Sequence, residues 1–285
     1  MSADPAALEA VVSPWAGRRL RAEALRARHP FAAELMTLYL ALLPVQEEVW
    51  SSARESPPPV DELPGWVAIR VLPAVVEATV LAGPAVLAEA APERIAQRAL
   101  AGWLAGEELD PVDRYLARAS LGPVLEALGE RAGAACAGAP ASEDGEVCPR
   151  CGGLPQLSFL ASSGDKLVSG PRSLLCSRCG FSWQCSRSVC PACGEKEDDR
   201  LWVYAEQLEG PVSGNGKHEA DEDRPALFPH LRIAGCSTCE RYLIEVDMAR
   251  DARAVPEVDE LAALPLDLHA ADQGLTKLTP NLMGF

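Results

Sequence analysis

Eight of the ten cysteines in this 285-residue chain fall into four Cys-x-x-Cys pairs: Cys148/Cys151, Cys176/Cys179, Cys190/Cys193 and Cys236/Cys239. Two intervening residues let a tight turn aim both sulfurs at one ion, and two such turns complete a closed tetrahedral site. Four pairs within the 92 residues from Cys148 to Cys239 therefore direct that stretch toward small modules built around two complete tetra-cysteine sites. Cys148-Pro-Arg-Cys-Gly152 and Cys190-Pro-Ala-Cys-Gly194 add a turn-stiffening proline and a glycine able to take positive φ. Cys176-Ser-Arg-Cys-Gly180 keeps only the glycine, and Cys236-Ser-Thr-Cys-Glu240 has neither. Short closures cost less chain entropy, which predicts sequential pairing: Cys148, Cys151, Cys176 and Cys179 on one ion, Cys190, Cys193, Cys236 and Cys239 on the other. Only ten residues separate Cys179 from Cys190, so the spacing alone also permits interleaving.

Other uses of these cysteines fit less well. Disulfides need an oxidising compartment, and a redox dithiol normally sits singly beside a βαβ unit, which the pattern does not show. An all-thiolate tetrahedral site accepts zinc or a single iron equally. Being closed, it offers no open position for a substrate, which argues against metal hydrolysis. Cys136 reads as a dispensable free thiol, and Cys185 as a small apolar residue sharing a strand face with Phe181 and Trp183. His218 and His230 are superfluous once eight thiolates form two sets.

The two halves of the chain differ in period. From Pro14 to about Gly133 the pattern is helical; Phe31, Leu35, Leu38, Leu42, Val45 and Val49 mark one helix face, with a kink expected at Pro44. Further helices are expected over Trp66–Leu81, Pro92–Ala105 and Pro111–Glu130, with Ser56-Pro57-Pro58-Pro59 as a break. After an Ala/Gly-rich connector the period changes to two: Leu157 and Phe159, then Phe181 and Trp183, then Leu201–Ala205 and Tyr242–Val246 read as short strands. Gly210–Pro229 reads as an acidic solvated loop, and Val258, Leu261, Leu264 and Leu268 as one stripe of a helix interrupted near Pro265 and packing back on the body. The expected fold is α+β and multidomain: an all-α domain (1–135), a linker (136–147), two small tetra-cysteine β modules (148–187 and 188–250) and a C-terminal helical tail (251–285).

With 26 Lys+Arg against 41 Asp+Glu the net charge is −15, a poor balance for gripping nucleic-acid phosphates or an anionic membrane. Cys148–Arg187 is locally +4 (Arg150, Lys166, Arg172, Arg178 and Arg187 against Asp165), but four thiolates around a divalent ion bring about −2 and leave a modest patch. The strongest apolar stretch, Ala78–Ala88, is too short to span a bilayer. Asp4 and Glu9 near the N-terminus, with no basic segment feeding an apolar one, make a cytoplasmic protein the expectation. His-Glu-x-x-His, P-loop, nucleophile-elbow and dinucleotide motifs are all missing from the sequence.

The cysteine-bearing half resembles the formate dehydrogenase accessory protein family, FdhE. The resemblance runs from Cys148-Pro-Arg-Cys-Gly152 through Cys176-Ser-Arg-Cys, Trp183 and Arg187 to Cys190-Pro-Ala-Cys. It resumes at Cys236-Ser-Thr-Cys-Glu-Arg-Tyr-Leu243 and at Pro256-Glu-Val-Asp-Glu-Leu-Ala-Ala-Leu-Pro-Leu-Asp267, ending near Gly274 and Asn281. It implies a cytoplasmic, non-catalytic maturation factor that binds the formate dehydrogenase catalytic subunit. It also implies rubredoxin-like iron centres in the two tetra-cysteine modules, although the ligands suit zinc as well. Trp183 and Arg187 are the expected partner contacts. The loop Gly210–Pro229 is longer than the family leads one to expect, and Cys185 stands where an apolar residue is expected. The rival expectations are a zinc-ribbon nucleic-acid or transcription-associated protein and a rubredoxin-like electron carrier.

Overall fold

The structure, a computed structural model, describes residues 13–94, 97–136, 145–162, 169–206 and 226–284. The helical half comprises α1 (Pro14–Arg28), α2 (Ala33–Glu55), α3 (Leu63–Arg70), α4 (Leu72–Ala82), α5 (Ala85–Ala90), α6 (Gln97–Ala105), α7 (Pro111–Leu128) and the single turn α8 (Ala132–Ala135). Proline opens α1, α3, α4 and α7 within the first two positions, where its missing N–H has no partner to lose. Asp110 caps α7, its carboxylate accepting from the Val112 N–H at 3.0 Å. The helix expected over Trp66–Leu81 is two helices that bend by 41° where they meet, just ahead of Pro73. Pro44 does not end α2, which runs on to Glu55.

The single apolar face expected for α2 is corrected to two. Leu38, Leu42 and Val49 join a core with α3, α4, α6 and α7, while Met36, Tyr39 and Leu43 join a second core beneath the sheet. Phe31, ahead of the helix, is 42% exposed. A helix sandwiched between two layers buries more than one stripe, so a one-face reading undercounts it.

The strands are β1 (Pro155–Ser162), β2 (Ser169–Cys176), β3 (Ser182–Gln184), β4 (Leu201–Ala205), β5 (Leu231–Cys236), β6 (Arg241–Asp247) and β7 (Thr276–Lys277). They form one sheet in the order β3-β2-β1-β6-β5-β4, with β7 also on β6. Within each cysteine module the pairing is antiparallel, and a short parallel pairing of β1 with β6 (Ser158 opposite Glu245, Leu160 opposite Asp247) joins the modules edge to edge. Leu231, Ile233, Tyr242, Ile244 and Val246 alternate onto the inner face and pack against α1 and α2.

The tail forms α9 (Pro256–Asp259) and α10 (Leu264–Asp272). Val258 and Leu261 are buried as expected, but Leu268 is 58% exposed, because α10 turns Asp267 and Ala270 inward instead. Asp267 accepts from Tyr242 Oη (2.9 Å) and Lys277 Nζ, whose other partner is the buried Glu260. Nearby, Asp259 accepts from both Arg21 Nε and Nη2 and from the Val255 N–H, with His230 Nε2 at 2.6 Å, which ties α1 to the tail. His230 is thus placed away from the cysteines. Among the described residues no single helix is long and apolar enough to cross a membrane; only the bent pair Val60–Arg70 with Leu72–Ala82 reaches that length and composition together.

Candidate metal centres

Each cysteine pair sits in a knuckle whose backbone is held by its own hydrogen bonds. The Cys148 N–H donates to Gly153 O (2.8 Å) and the Gly152 N–H to Cys148 O (2.8 Å); Cys190 with Glu195 and Gly194 with Cys190 repeat the pattern. Two amides, Arg178 N–H and Ala192 N–H, donate to Cys176 Sγ and Cys190 Sγ, each at 3.4 Å. Gly152, Gly180 and Gly194 follow the second cysteine at φ of 68°, 65° and 73°, and Glu240 takes the same left-handed position at 55° in the knuckle that lacks glycine.

The sulfurs converge in two groups of four, Cys148, Cys151, Cys176 and Cys179, and Cys190, Cys193, Cys236 and Cys239, each within 4.8 Å of one another. This is the sequential grouping, not the interleaved one. Sulfur pairs lie at 3.7 Å (Cys148/Cys179), 3.4 Å (Cys151/Cys176), 3.8 Å (Cys190/Cys239) and 3.8 Å (Cys193/Cys236). A metal–sulfur bond of about 2.3 Å implies tetrahedral sulfur–sulfur edges of roughly 3.8 Å, so both groups fit one ion with four thiolate ligands. All ten cysteines are unbridged.

Without a cation the four thiols of a cluster do not all ionise together: Cys151 is driven far down by its hydrogen bonds to Cys136, Cys148 and Cys176, while Cys176 is pushed up. The Cys179 thiol is driven far up by its hydrogen bonds to Cys148, Cys151 and Cys176, and burial raises Cys190. Cys239 is pushed up to about 11, chiefly by burial. An ion of charge +2 or +3 reverses this, because coordination deprotonates the thiols and compensates their charge.

The two groups differ in setting. All four cysteines of the first are buried and belong to the helical core, against α7 and α8. In the second, Cys193 is exposed and Cys239 half-buried. Cys136 is a free thiol, half-buried against the helical core and next to the first cysteine group. Cys185 shares its face with Trp183 in a small third core around Leu174, Leu243 and Leu278, and is half-buried.

Trp183 donates from Nε1 to Gly145 O (2.7 Å) and is partly buried. Arg187 is exposed and donates from Nη2 to Gly170 O. Two of the five cations counted in the first module are occupied internally: Arg172 is 6% exposed, and Arg150 pairs with Glu130 and stacks on Phe181. His218 and most of the Gly210–Pro229 loop and the 136–147 connector lie outside the described residues.

Residues 217–283 match the family model "FdhE, C-terminal domain". An FdhE homolog of Aquifex aeolicus is 33% identical over 138 residues, 48% of this chain and 41% of that relative. One of Pseudomonas putida is 32% identical over 136 residues, 48% of this chain and 37% of the relative. The alignments thus span less than half of these curated relatives. The crystal structure of the FdhE protein from Pseudomonas aeruginosa has the same fold, with a TM-score of 0.65 at 22% identity over 94% of this chain and 95% of that one. The chain is thus similar to FdhE proteins in its C-terminal stretch and over about half its length, and it has the fold of one.

Proposed function

We propose that this chain is a non-catalytic maturation factor for formate dehydrogenase, acting in the cytoplasm by docking on the client's catalytic subunit, with one metal ion in each cysteine group. The observation that carries the reading is closure: four sulfurs converge on each centre at tetrahedral spacing, which leaves no ligand position for a substrate. Bound there, an ion cross-links two knuckles and holds the adjoining loops rigid. Iron is the ion that the family resemblance favours, and zinc suits the same ligands. The client is inferred from the chain's similarity to FdhE proteins.

The cysteine knuckles then serve recognition rather than chemistry, which is how small scaffolds carry function. Arg187 is the stronger contact residue of the two expected, since it is exposed, whereas Trp183 is committed to Gly145 and to packing. The test is purification of the chain from its host with and without Arg187→Ala. The expected result is co-purification of the formate dehydrogenase catalytic subunit with wild type and less with the variant. Recovery of no such subunit, with salt-sensitive retention of nucleic acid, would replace this reading with the zinc-ribbon one.

A further inference from the structure

One face of the sheet is covered by helices; the other carries a cavity of about 380 Å³, within the range of roughly 300–1,000 Å³ typical of ligand sites. Alternation along the strands puts Ala234 of β5, Leu243 of β6 and Val203 of β4 on this outer face, opposite the residues that pack on α2. The floor is apolar, and Ala234 leaves space where a larger side chain would fill it.

Four guanidiniums surround that floor in a chain of net charge −15: Arg172, Arg187, Arg232 and Arg241. Arg232 is committed to Asp247. Arg172 is 6% exposed, and its Nε has no hydrogen-bond partner; the nearest carboxylate oxygen, on Glu245, is 3.7 Å away. Arg187 and Arg241 have no carboxylate partner among the described residues. Beside the cavity, β4 is an edge strand among the described residues, and Val203 and Tyr204 are 56% and 45% exposed. An edge strand offers backbone donors and acceptors to an extended segment, and unpaired guanidiniums match carboxylates in geometry and charge.

We propose that this groove binds an extended acidic peptide segment of a partner protein, with carboxylates on Arg187 and Arg241 and an apolar side chain over Ala234 and Leu243. The proposal rests on the docking reading above only in taking the partner to be a polypeptide. It does not depend on which protein that is.

The test pans a random dodecapeptide phage library against the full-length, metal-loaded chain, then measures selected peptides by fluorescence anisotropy. Expected are sequences in which Asp or Glu alternates with Leu, Ile or Phe. Their binding should weaken roughly tenfold or more with Arg241→Glu or Val203→Glu, the loss of one charge-assisted contact or the gain of a repulsive one. Leu81→Glu, on the exposed side of α4, should leave it unchanged. Four results would overturn the proposal. One is selection without acidic enrichment. Another is binding indifferent to both groove variants. The third is loss of metal from the second cysteine group as the sole effect of Arg241→Glu, which would mean that the arginines serve only the neighbouring thiolates. An oligothymidylate that binds the groove more tightly than any selected peptide would overturn it in favour of nucleic acid. Selected acidic peptides without a co-purifying formate dehydrogenase subunit would leave the groove standing and remove the client reading; the reverse pair of results would do the opposite.

Discussion

Replacing Asp259 by Asn should be among the most damaging single changes in the chain. Its carboxylate is fully buried and accepts from two nitrogens of Arg21, itself 8% exposed, and from the Val255 N–H at 2.8 Å. The amide keeps the shape but not the charge, and so leaves a buried guanidinium short of its main partner. Breaking a buried ion pair from one side costs about 3–5 kcal/mol. Arg21 retains Asp251 at 3.0 Å, which places the expected loss near the lower bound, about 3 kcal/mol. For a protein of this size that is a fall in melting temperature of roughly 6–12 °C. The assay is thermal unfolding by far-UV circular dichroism on metal-loaded protein, with Glu47→Gln as the control. The Arg19–Glu47 pair has similar contact (3.1 Å), but its side chains are 38% and 36% exposed, so its loss should cost no more than about 1 kcal/mol. A joint Arg21→Met and Asp259→Leu replacement should recover only part of the loss, because it removes the buried pair but takes Arg21 from Asp251 and the acceptor from the Val255 N–H. If Asp259→Asn shifts the midpoint no further than Glu47→Gln, the tail is not locked to α1 as described.

The exposure difference between the two cysteine groups predicts two-step metal release to a chromogenic chelator, the fast step belonging to the group with exposed Cys193 and removed by Cys193→Ser; a single step would contradict it. Glu240→Gly should stabilise its knuckle by less than about 1 kcal/mol, since a left-handed non-glycine residue costs about 1–2 kcal/mol and glycine returns part of that as entropy, whereas Gly152→Ala should destabilise by about 1–2 kcal/mol; denaturant midpoints decide both. Burial, with Arg28 and Arg21 nearby, lowers the pKa of His29 from its ordinary 6.5. The unfolded chain therefore takes up a proton that the folded chain refuses: stability is intact above that pH and is lost as pH falls through it toward the lowered value. His29→Phe should flatten the fall in unfolding midpoint between about pH 7 and pH 5, and an unchanged slope would refute this role.

Local signals in the sequence located most elements. β4 spans the expected Leu201–Ala205, and α7 starts at the expected Pro111 because proline and the Asp110 cap both mark that turn. The cysteine grouping was legible because two-residue spacing fixes knuckle geometry and short closures favour neighbours. β2 was not, because Gly170 and Pro171 near its start read as a turn while its partners lie on either side in the sheet. β5 follows a long loop and leaves only Leu231 and Ile233 as an alternating pair. The parallel β1/β6 pairing, which makes one sheet of two modules, links residues about 87 positions apart and has no local signature. The same holds for the Arg21, His230 and Asp259 cluster and for the four groove arginines, which come from separate segments and meet only in the folded chain. Leu268 misled because the interruption near Pro265 is legible but its effect on phase is not: α10 begins anew at Leu264 and turns Asp267 and Ala270 inward.

Two closed metal sites are central to the proposed role, and elemental analysis of gently purified full-length protein, paired with a count of reactive thiols, tests for them most directly. Eight thiolates in two tetrahedral groups predict two ions of zinc or iron per chain. Cys136 and Cys185 should be the only thiols that react while both ions remain bound. Full chelation should then expose the other eight and unfold the cysteine-bearing half, because so small a β unit depends on its ions for stability. A stoichiometry near one, or a cysteine-bearing half that stays ordered after both ions are removed, would contradict it.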